Sequence, residues 1–180
     1  MPALASRQSP VVREAQGLRI AVETGAWSAR PRSLPEPVLP LLVVLTNTGG
    51  RGVSIAREDF ALLDQAHRQS SPIPPAEVVA ILGGARTRID VSPSGGAGGS
   101  TAGGTVLEAG AGAPFALPDE EVRSLIALSL PEGPIQPGAE ARGCLYFPRP
   151  PSDAAELRLV AFPRDLPAGS RLECPLRLRE

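Results

Sequence analysis

The sequence predicts an all-β fold, an antiparallel β-sandwich of about seven short strands with one short helix. First, 19 glycines and 21 prolines make up more than a fifth of the 180 residues, which disfavours long helices. Second, apolar and polar residues alternate with a period of two in several segments, as in strands with one buried face. Third, no strand–helix–strand rhythm repeats, so a sandwich is favoured over an α/β fold. A small closed barrel fits the same alternation.

The first elements are a tether, a strand and a proline-rich connection. Residues 1–16 show no period and are predicted to be an N-terminal tether. Residues 18–23 alternate and predict the first strand. Pro31, Pro35, Pro37 and Pro40 follow within ten residues. Each fixes φ and removes a backbone donor, so we expect an extended connection along a sheet edge.

The central strand is predicted at residues 41–46, which are nearly all branched or apolar. The polar and glycine residues at 47–50 favour a turn after it. Shorter apolar segments at 53–55 and 60–63 predict two further strands, and residues 64–67 a polar reversal. Residues 78–82 form another short apolar run.

The second half of the chain begins with an insertion and a helix. Residues 94–113 are mostly glycine, alanine, serine and threonine, which bury little surface, so a flexible insertion is predicted. No lysine follows these glycines, and no strand feeds into them, so they do not match a phosphate-binding loop. Pro118 is predicted at the first helical position, and Val122, Leu125 and Ile126 follow helical spacing.

Three consecutive antiparallel strands are predicted to complete the fold. They begin after a Pro137–Gly138 turn and comprise residues 143–147, 157–161 and 172–178. The predicted organisation is therefore a tether at 1–16 and a single sandwich domain at 17–180 that carries the insertion at 94–113.

Charge and residue types exclude several functions. With a net charge of −1, the chain lacks the excess of positive charge that typically attracts nucleic acid or an anionic membrane. All 18 basic residues are arginines, so the lysine of a Walker motif or a Schiff base is missing. Residues 38–45 are too short an apolar stretch to cross a bilayer. Residues 1–10 lack a secretory signal, which leaves two interpretations: a cytoplasmic protein, or a mature chain whose signal was removed.

Four segments resemble a known class of domain. They are LLVVLTNTGGRGVSI, DFALLD, PEGPIQPGAEARGCLYFP and LRLVAF. They are similar to immunoglobulin-like β-sandwich domains of uncharacterised bacterial envelope proteins and lipoproteins. The resemblance implies that Phe60 and Leu62 face the core, that Gly138 shapes a corner and that Gly143 permits close packing. It also implies an exported protein, for which a lipid tether is one possible anchor.

The two cysteines, Cys144 and Cys174, lie on predicted strands with one strand between them. If that strand is displaced or lies in another sheet, the Cα atoms could approach the roughly 5.5–6 Å that a disulfide needs. Two buried free thiols are the favoured alternative.

No catalytic, cofactor-binding or metal-binding residues are predicted. A cysteine hydrolase or metal site would depend on His67, the only histidine, in a predicted turn. The carboxylates of residues 119–121 are explained by the helix dipole. Two interpretations fit Arg158, Arg171, Arg177 and Arg179: an anion-binding face of a sheet or, more simply, the solvated face of the strands. Trp27 and Tyr146 are too few for a carbohydrate platform, so core positions are favoured.

The expected function is that of a non-enzymatic, envelope-associated accessory or assembly component acting through protein–protein contacts. The alternative is a soluble β-sandwich module that binds a small ligand or glycan. We expect protein partners, no cofactor, no nucleic acid and a cell-envelope or periplasmic location, with the cytoplasm as the alternative.

Overall fold

The computed structural model describes residues 9–83, 117–167 and 170–178. Within them the chain is mostly β, with ten strands, two short α-helices and one 3₁₀ turn at Arg57–Asp59. The strands are β1 (Val11–Ala15), β2 (Leu18–Thr24), β3 (Val38–Asn47), β4 (Val53–Ile55), β5 (Phe60–Asp64), β6 (Gln69–Ser70), β7 (Gly133–Ile135), β8 (Glu140–Pro148), β9 (Glu156–Ala161) and β10 (Leu172–Arg177). The helices are α1 (Pro75–Leu82) and α2 (Asp119–Leu128).

The strands form three antiparallel sheets that do not close into a barrel. One four-stranded sheet has the order β1-β2-β3-β8, and the other has the order β10-β9-β5-β6. A two-stranded sheet joins β4 to β7. The prediction of three consecutive C-terminal strands is therefore wrong in one respect. The final hairpin is β9–β10, but β8 pairs with β3 because the two long apolar strands match over nine residue pairs.

The main core lies between the two four-stranded sheets. Every second side chain of β2 and β3 points into it, including Ile20, Val43 and Leu45, all fully buried. Phe60 and Leu62 of β5 belong to the same cluster, as the resemblance implied. The period of two thus places one face of each strand in the main core.

A second cluster, the helix-side core, lies on the other face of β3 and β8. Its buried members are Leu34, Val38, Ile73, Val78, Leu125 and Tyr146. Both helices and the proline-rich segment cover this face. The proline segment is not extended as predicted, because hydrogen bonds from Leu34 N to Pro31 O and from Val38 N to Leu34 O fold it into consecutive turns. The apolar side chain of Leu34 explains the folding, since it reaches zero exposure in this cluster.

The aromatic side chains Trp27 and Tyr146 meet edge to face in this region, with ring centroids 6.2 Å apart. Tyr146 is buried within the helix-side core, and Trp27 packs against the cluster. The tryptophan Nε1 donates to Pro31 O at 3.0 Å. The structure thus places both rings in the core, the position favoured over a carbohydrate platform.

Two predictions about local structure are corrected. The apolar run at residues 78–82 belongs to helix α1, which begins at Pro75, where a missing N–H costs nothing. Residues 11–15 of the predicted tether form β1 and pair with β2 through a two-residue turn in which Gln16 and Gly17 both have positive φ. β1 and the short strands β6 and β7 raise the strand number above seven among the described residues.

Helix α2 matches the predicted helix, with Pro118 at the N-cap and the three carboxylates of residues 119–121 in its first turn. Pro118 therefore precedes the first helical position by one residue. The corner before β8 also matches: Ala139 N donates to Gln136 O, and Gly138 has φ +77°, which glycine adopts at no steric cost. The predicted insertion at 94–113, residues 1–8 and Arg179 lie outside the described residues.

Candidate functional site

A cleft of about 220 Å³ opens between helix α2, strand β8 and the β4–β7 sheet. We call it the α2 cleft. Its lining is mainly apolar and includes Ile55, Ile73, Ile126, Leu130, Pro131 and Leu145. The chain segment after α2 forms one wall, because Leu130 N donates to Cys144 O at 3.0 Å and ties it to β8. Gly143 permits this contact, as the resemblance implied, since a Cβ atom there would lie 2.5 Å from Leu130 N.

The inner end of the α2 cleft is a small hydrogen-bonded group around the end of the helix. The carbonyl of Leu125 accepts hydrogen bonds from Tyr146 Oη at 3.0 Å and from Ser129 Oγ at 2.8 Å. Burial raises the pKa of Tyr146, and the nearby Cys144 adds to the rise. The phenol is therefore a neutral donor that fixes the helix to the sheet, not an acid or base at neutral pH.

The rim of the α2 cleft combines an ion pair with an exposed apolar side chain. Arg57 Nε donates to Glu132 Oε1 at 3.1 Å across 75 positions of sequence. On the same rim Ile126 is 57% exposed. Leu128, which is 39% exposed, lies two residues further along α2 and points to another face of the helix. Ile126 was assigned to the helix stripe by its spacing, but the structure leaves it at the surface. The site therefore offers an apolar anchor pocket beside charged groups.

Cys144 lines the α2 cleft, whereas Cys174 belongs to the main core. Both cysteines are free. The proposed disulfide is not formed, because Cys144 faces the helix-side core and the sheet containing β8 separates it from Cys174. Burial raises the pKa of each thiol to about 11. Both are therefore protonated at neutral pH, a state that is a poor nucleophile.

Thiol labelling tests this arrangement. We expect two iodoacetamide adducts per chain in denatured protein without reductant, and labelling more than about a hundredfold slower in the native protein at pH 7.5. The native rate should rise with pH, because a raised pKa leaves little thiolate until the pH approaches it. Intact mass over time gives the measurement, and C144S should show a single denatured adduct. Denatured protein that takes up no label until it is reduced would contradict the free-thiol state.

His67 lies away from both cysteines. It occupies the exposed turn between β5 and β6 with φ +60°, and its backbone N donates to Asp64 O at 3.0 Å. The residues that a cysteine–histidine site would need are therefore not brought together. No group of three histidine, cysteine or acidic side chains that could hold a metal ion occurs in the described part of the chain.

Asp64 organises the turn that carries His67. Its Oδ1 accepts from the backbone N–H groups of Ala66 at 2.8 Å and Arg68 at 2.9 Å, and its Oδ2 accepts from the Arg68 guanidinium. Burial by itself would raise the pKa of Asp64, but these hydrogen bonds outweigh it and lower the pKa. Arg68 also binds Asp153 at 3.0 Å, which fastens the turn to the segment before β9.

The lowered pKa of Asp64 predicts a pH-dependent contribution to stability. A carboxylate with a depressed folded-state pKa stabilises fully above its unfolded pKa of about 3.9, and this contribution is lost as pH falls through the folded value. We expect D64N to lower the free energy of unfolding at pH 7 and to differ less from the unmodified protein at pH 3. Urea titrations at the two pH values measure this, with E36Q as an exposed control. An equal difference at both pH values would contradict it.

The predicted arginine face is partly neutralised. Arg158 and Arg171 both bind Glu173, at 3.1 and 2.8 Å. These exposed pairs make a solvated strand face, the simpler of the two interpretations. Arg158 and Arg177 also line a larger open groove of about 590 Å³ at one end of β5, β9 and β10. The groove has an apolar floor that includes Leu63, Leu157 and Leu176.

Sequence patterns gave no signal for the α2 cleft. Arg57 and Glu132 are brought together only because β4 pairs with β7, and that pairing is not visible in either three-residue segment. The exposure of Ile126 depends on which helix face packs on β8. Three lining residues were singled out, each for another reason: Tyr146 as an aromatic ring, Cys144 as a possible disulfide partner and Ile126 by its helical spacing.

No protein-family model and no curated protein matches the chain. Solved structures align with it at low identity. The ycdA protein from Bacillus subtilis, described as a "putative lipoprotein", aligns at 12% identity and TM-score 0.49 over 94% of this chain, which spans 39% of that protein. A functionally unknown protein from Listeria monocytogenes aligns at 13% identity and TM-score 0.49, covering 96% of this chain and 85% of its own. The yjhA protein from Bacillus subtilis aligns at 12% identity and TM-score 0.46, and the alignment covers 93% of this chain and 96% of yjhA.

In the ranges that the structure describes, neither α-helix is long and apolar enough to cross a bilayer.

Proposed function

We propose that this chain is a non-enzymatic accessory or assembly component of a bacterial cell envelope, built as an immunoglobulin-like sandwich and acting through protein–protein contacts. The resemblance of its segments to envelope domains supports the location and the immunoglobulin-like topology. The structure supplies the candidate contact surface, which is the α2 cleft.

The observation that carries the proposal is the exposure of Ile126 at the rim of an apolar cleft. Four large apolar side chains are exposed in the described residues, and two of them lie within one turn of α2. An exposed apolar side chain at the edge of an apolar pocket with a charged rim is typical of interaction sites, whereas isolated apolar residues are common anywhere. The protonated Cys144 and the neutral Tyr146 in the cleft favour contact over catalysis.

Affinity capture from native bacterial membranes and from cytosol tests the proposal. The tagged protein is compared with I126S and with F162S, which removes an apolar side chain of similar exposure outside the cleft. We expect a partner in the membrane fraction that F162S retains and I126S loses. Recovery of partners from cytosol alone, or equal capture by I126S, would contradict the proposal.

A second function is supported by the groove at the end of β5, β9 and β10. Its volume of about 590 Å³ lies in the range of small-ligand sites, and Glu156 and Arg177 flank its apolar floor. The chain would then be a soluble module that binds a small ligand or glycan.

A thermal-shift screen of sugars, lipids and peptides tests this alternative. A specific ligand at 100 times its dissociation constant should stabilise the protein by about 2.7 kcal/mol. R177Q should reduce the shift, and E36Q, outside the groove, should not. No shift with any compound would count against a ligand-binding role.

A further inference from the structure

We infer that the α2 cleft receives a basic protein segment that inserts one apolar side chain. This inference rests on the proposed function, because it names the chemistry of the partner that would dock there. Three observations support it: the negative charge around the cleft, the small volume of the cleft, and the distance along α2 between Asp119 and Ile126.

The helical layer around the α2 cleft is acidic. Two of its carboxylates are already paired: Glu132 with Arg57, and Asp59 with Arg164 at 3.2 Å. Five more have no ion-pair partner among the described residues. These five are Glu58, Glu77, Asp119, Glu120 and Glu121. Three arginines lie near them: Arg123 on α2, and Arg30 and Arg32, which line a separate surface pocket with Glu121. The five carboxylates outnumber the three arginines, so the layer carries a net negative charge.

This charge selects the partner. An acidic segment would be repelled at the surface that surrounds the cleft, whereas arginine or lysine side chains would gain contacts with the free carboxylates. Exposed contacts of this kind contribute modestly one by one and weaken as salt is added. The charge contacts therefore favour a basic partner over an acidic one, while the apolar contact in the cleft contributes most of the binding.

The cavity fits one side chain better than a small molecule. Its volume of about 220 Å³ lies below the roughly 300 Å³ at which small-ligand sites begin. Ile126 stands at its rim with more than half of its surface exposed. A leucine or phenylalanine from a partner would cover Ile126 and contact the apolar lining.

Spacing along α2 adds a geometric constraint. Asp119 lies seven residues before Ile126, which corresponds to roughly 10 Å along the helix axis. An extended peptide covers that distance in roughly three residues. The fitting segment therefore carries a basic residue about three positions from its apolar anchor.

Three labelled peptides test the inference by fluorescence anisotropy. The first is a nine-residue peptide with a central leucine and an arginine three positions to either side, on a glycine–serine background. The second replaces both arginines with glutamates, and the third replaces the leucine with serine. We expect the first peptide to bind more tightly than either control, with affinity falling as sodium chloride is raised.

Protein variants then locate the site. The triple variant D119N/E120Q/E121Q should weaken binding of the first peptide by roughly tenfold, whereas the matched triple variant E36Q/E140Q/E156Q should not. I126S should also weaken it, and F162S should not. Thermal melts of each variant separate lost binding from lost folding, because the three carboxylates also stabilise the start of α2.

The outcomes separate the two claims. Equal binding of the glutamate peptide, or unchanged binding by D119N/E120Q/E121Q, would overturn the basic partner but leave Ile126-dependent capture from membranes intact. Unchanged peptide binding by I126S would overturn the α2 cleft as the site. A dimer in sedimentation experiments that I126S converts to monomer would make a second copy the occupant, and would also overturn the inference.

Discussion

Replacement of Gly143 by alanine is expected to destabilise the protein by about 3 kcal/mol or more, one of the two largest effects predicted for a single substitution. An ideal Cβ at this position would lie 2.5 Å from Leu130 N and from Ser129 O. Both atoms are backbone, so no side-chain rotation relieves the clash. Strand β8 or the segment after α2 must move, and movement breaks the hydrogen bond from Leu130 N to Cys144 O.

The measurement is urea unfolding followed by circular dichroism, and the melting temperature should fall by about 6–12 °C. G50A is the matched control, because a Cβ at Gly50 meets no atom within 4 Å. G143A should also disturb the α2 cleft, since the displaced segment is its wall. Equal stability of the two variants would mean that β8 and residues 129–130 are not in contact as described.

The strands with clear alternation were predictable, since burial on one face imposes a period of two on the sequence. Residues 18–23, 157–161 and 172–178 were located in this way and correspond to β2, β9 and β10. β1 was missed because its three central residues are all exposed, so it has no buried stripe. α1 was missed because Val78 and Val79 are β-branched and the helix spans only eight residues. In that segment tertiary packing outweighs local propensity.

Long-range pairing was less accessible than local structure. The pairing of β8 with β3 joins segments about 100 residues apart, and alternation carries no information on which strands are neighbours. The same limit applies to the candidate site, where Arg57 meets Glu132 and Ile73 meets Tyr146. Gly143 is the exception: its role was implied by the resemblance, and the contact with Leu130 confirms it.

The second large effect is expected at Asn47, the only asparagine in the chain. Its side chain has no exposure and uses both of its polar atoms to join the turn after β3 to strand β7. Nδ2 donates to Arg51 O at 2.7 Å and to Ile135 O at 2.8 Å, and Oδ1 accepts from Gly49 N at 3.0 Å. The amide thus holds the turn after β3 against β7, which lies 88 positions away in the sequence.

N47A is expected to lower the free energy of unfolding by about 2 kcal/mol, because the buried carbonyl of Ile135 loses the amide donor and the link to Arg51 O is lost, whereas Gly49 N keeps its hydrogen bond to Gly17 O at 2.9 Å. T46A is the matched control, since Thr46 is the neighbouring residue in β3 and points to the opposite face of the sheet. N47D separates hydrogen bonding from packing, because the aspartate keeps the shape of the side chain but replaces the donor with an oxygen that faces the two carbonyls.

The N47D variant also gives a signed pH test. Burial and the two facing carbonyls should raise the folded-state pKa of the new carboxyl above its unfolded value of about 3.9. A folded-state pKa above the unfolded value means that the free energy of unfolding falls as pH rises from the unfolded pKa to the folded one. The stability of N47D relative to N47A should therefore be higher at pH 4 than at pH 7. Urea titrations of N47A, N47D and T46A at both pH values measure these differences. If N47A unfolds at the same urea concentration as T46A, the amide does not hold the turn after β3 against β7, and the β4–β7 wall of the α2 cleft must be fixed by other contacts.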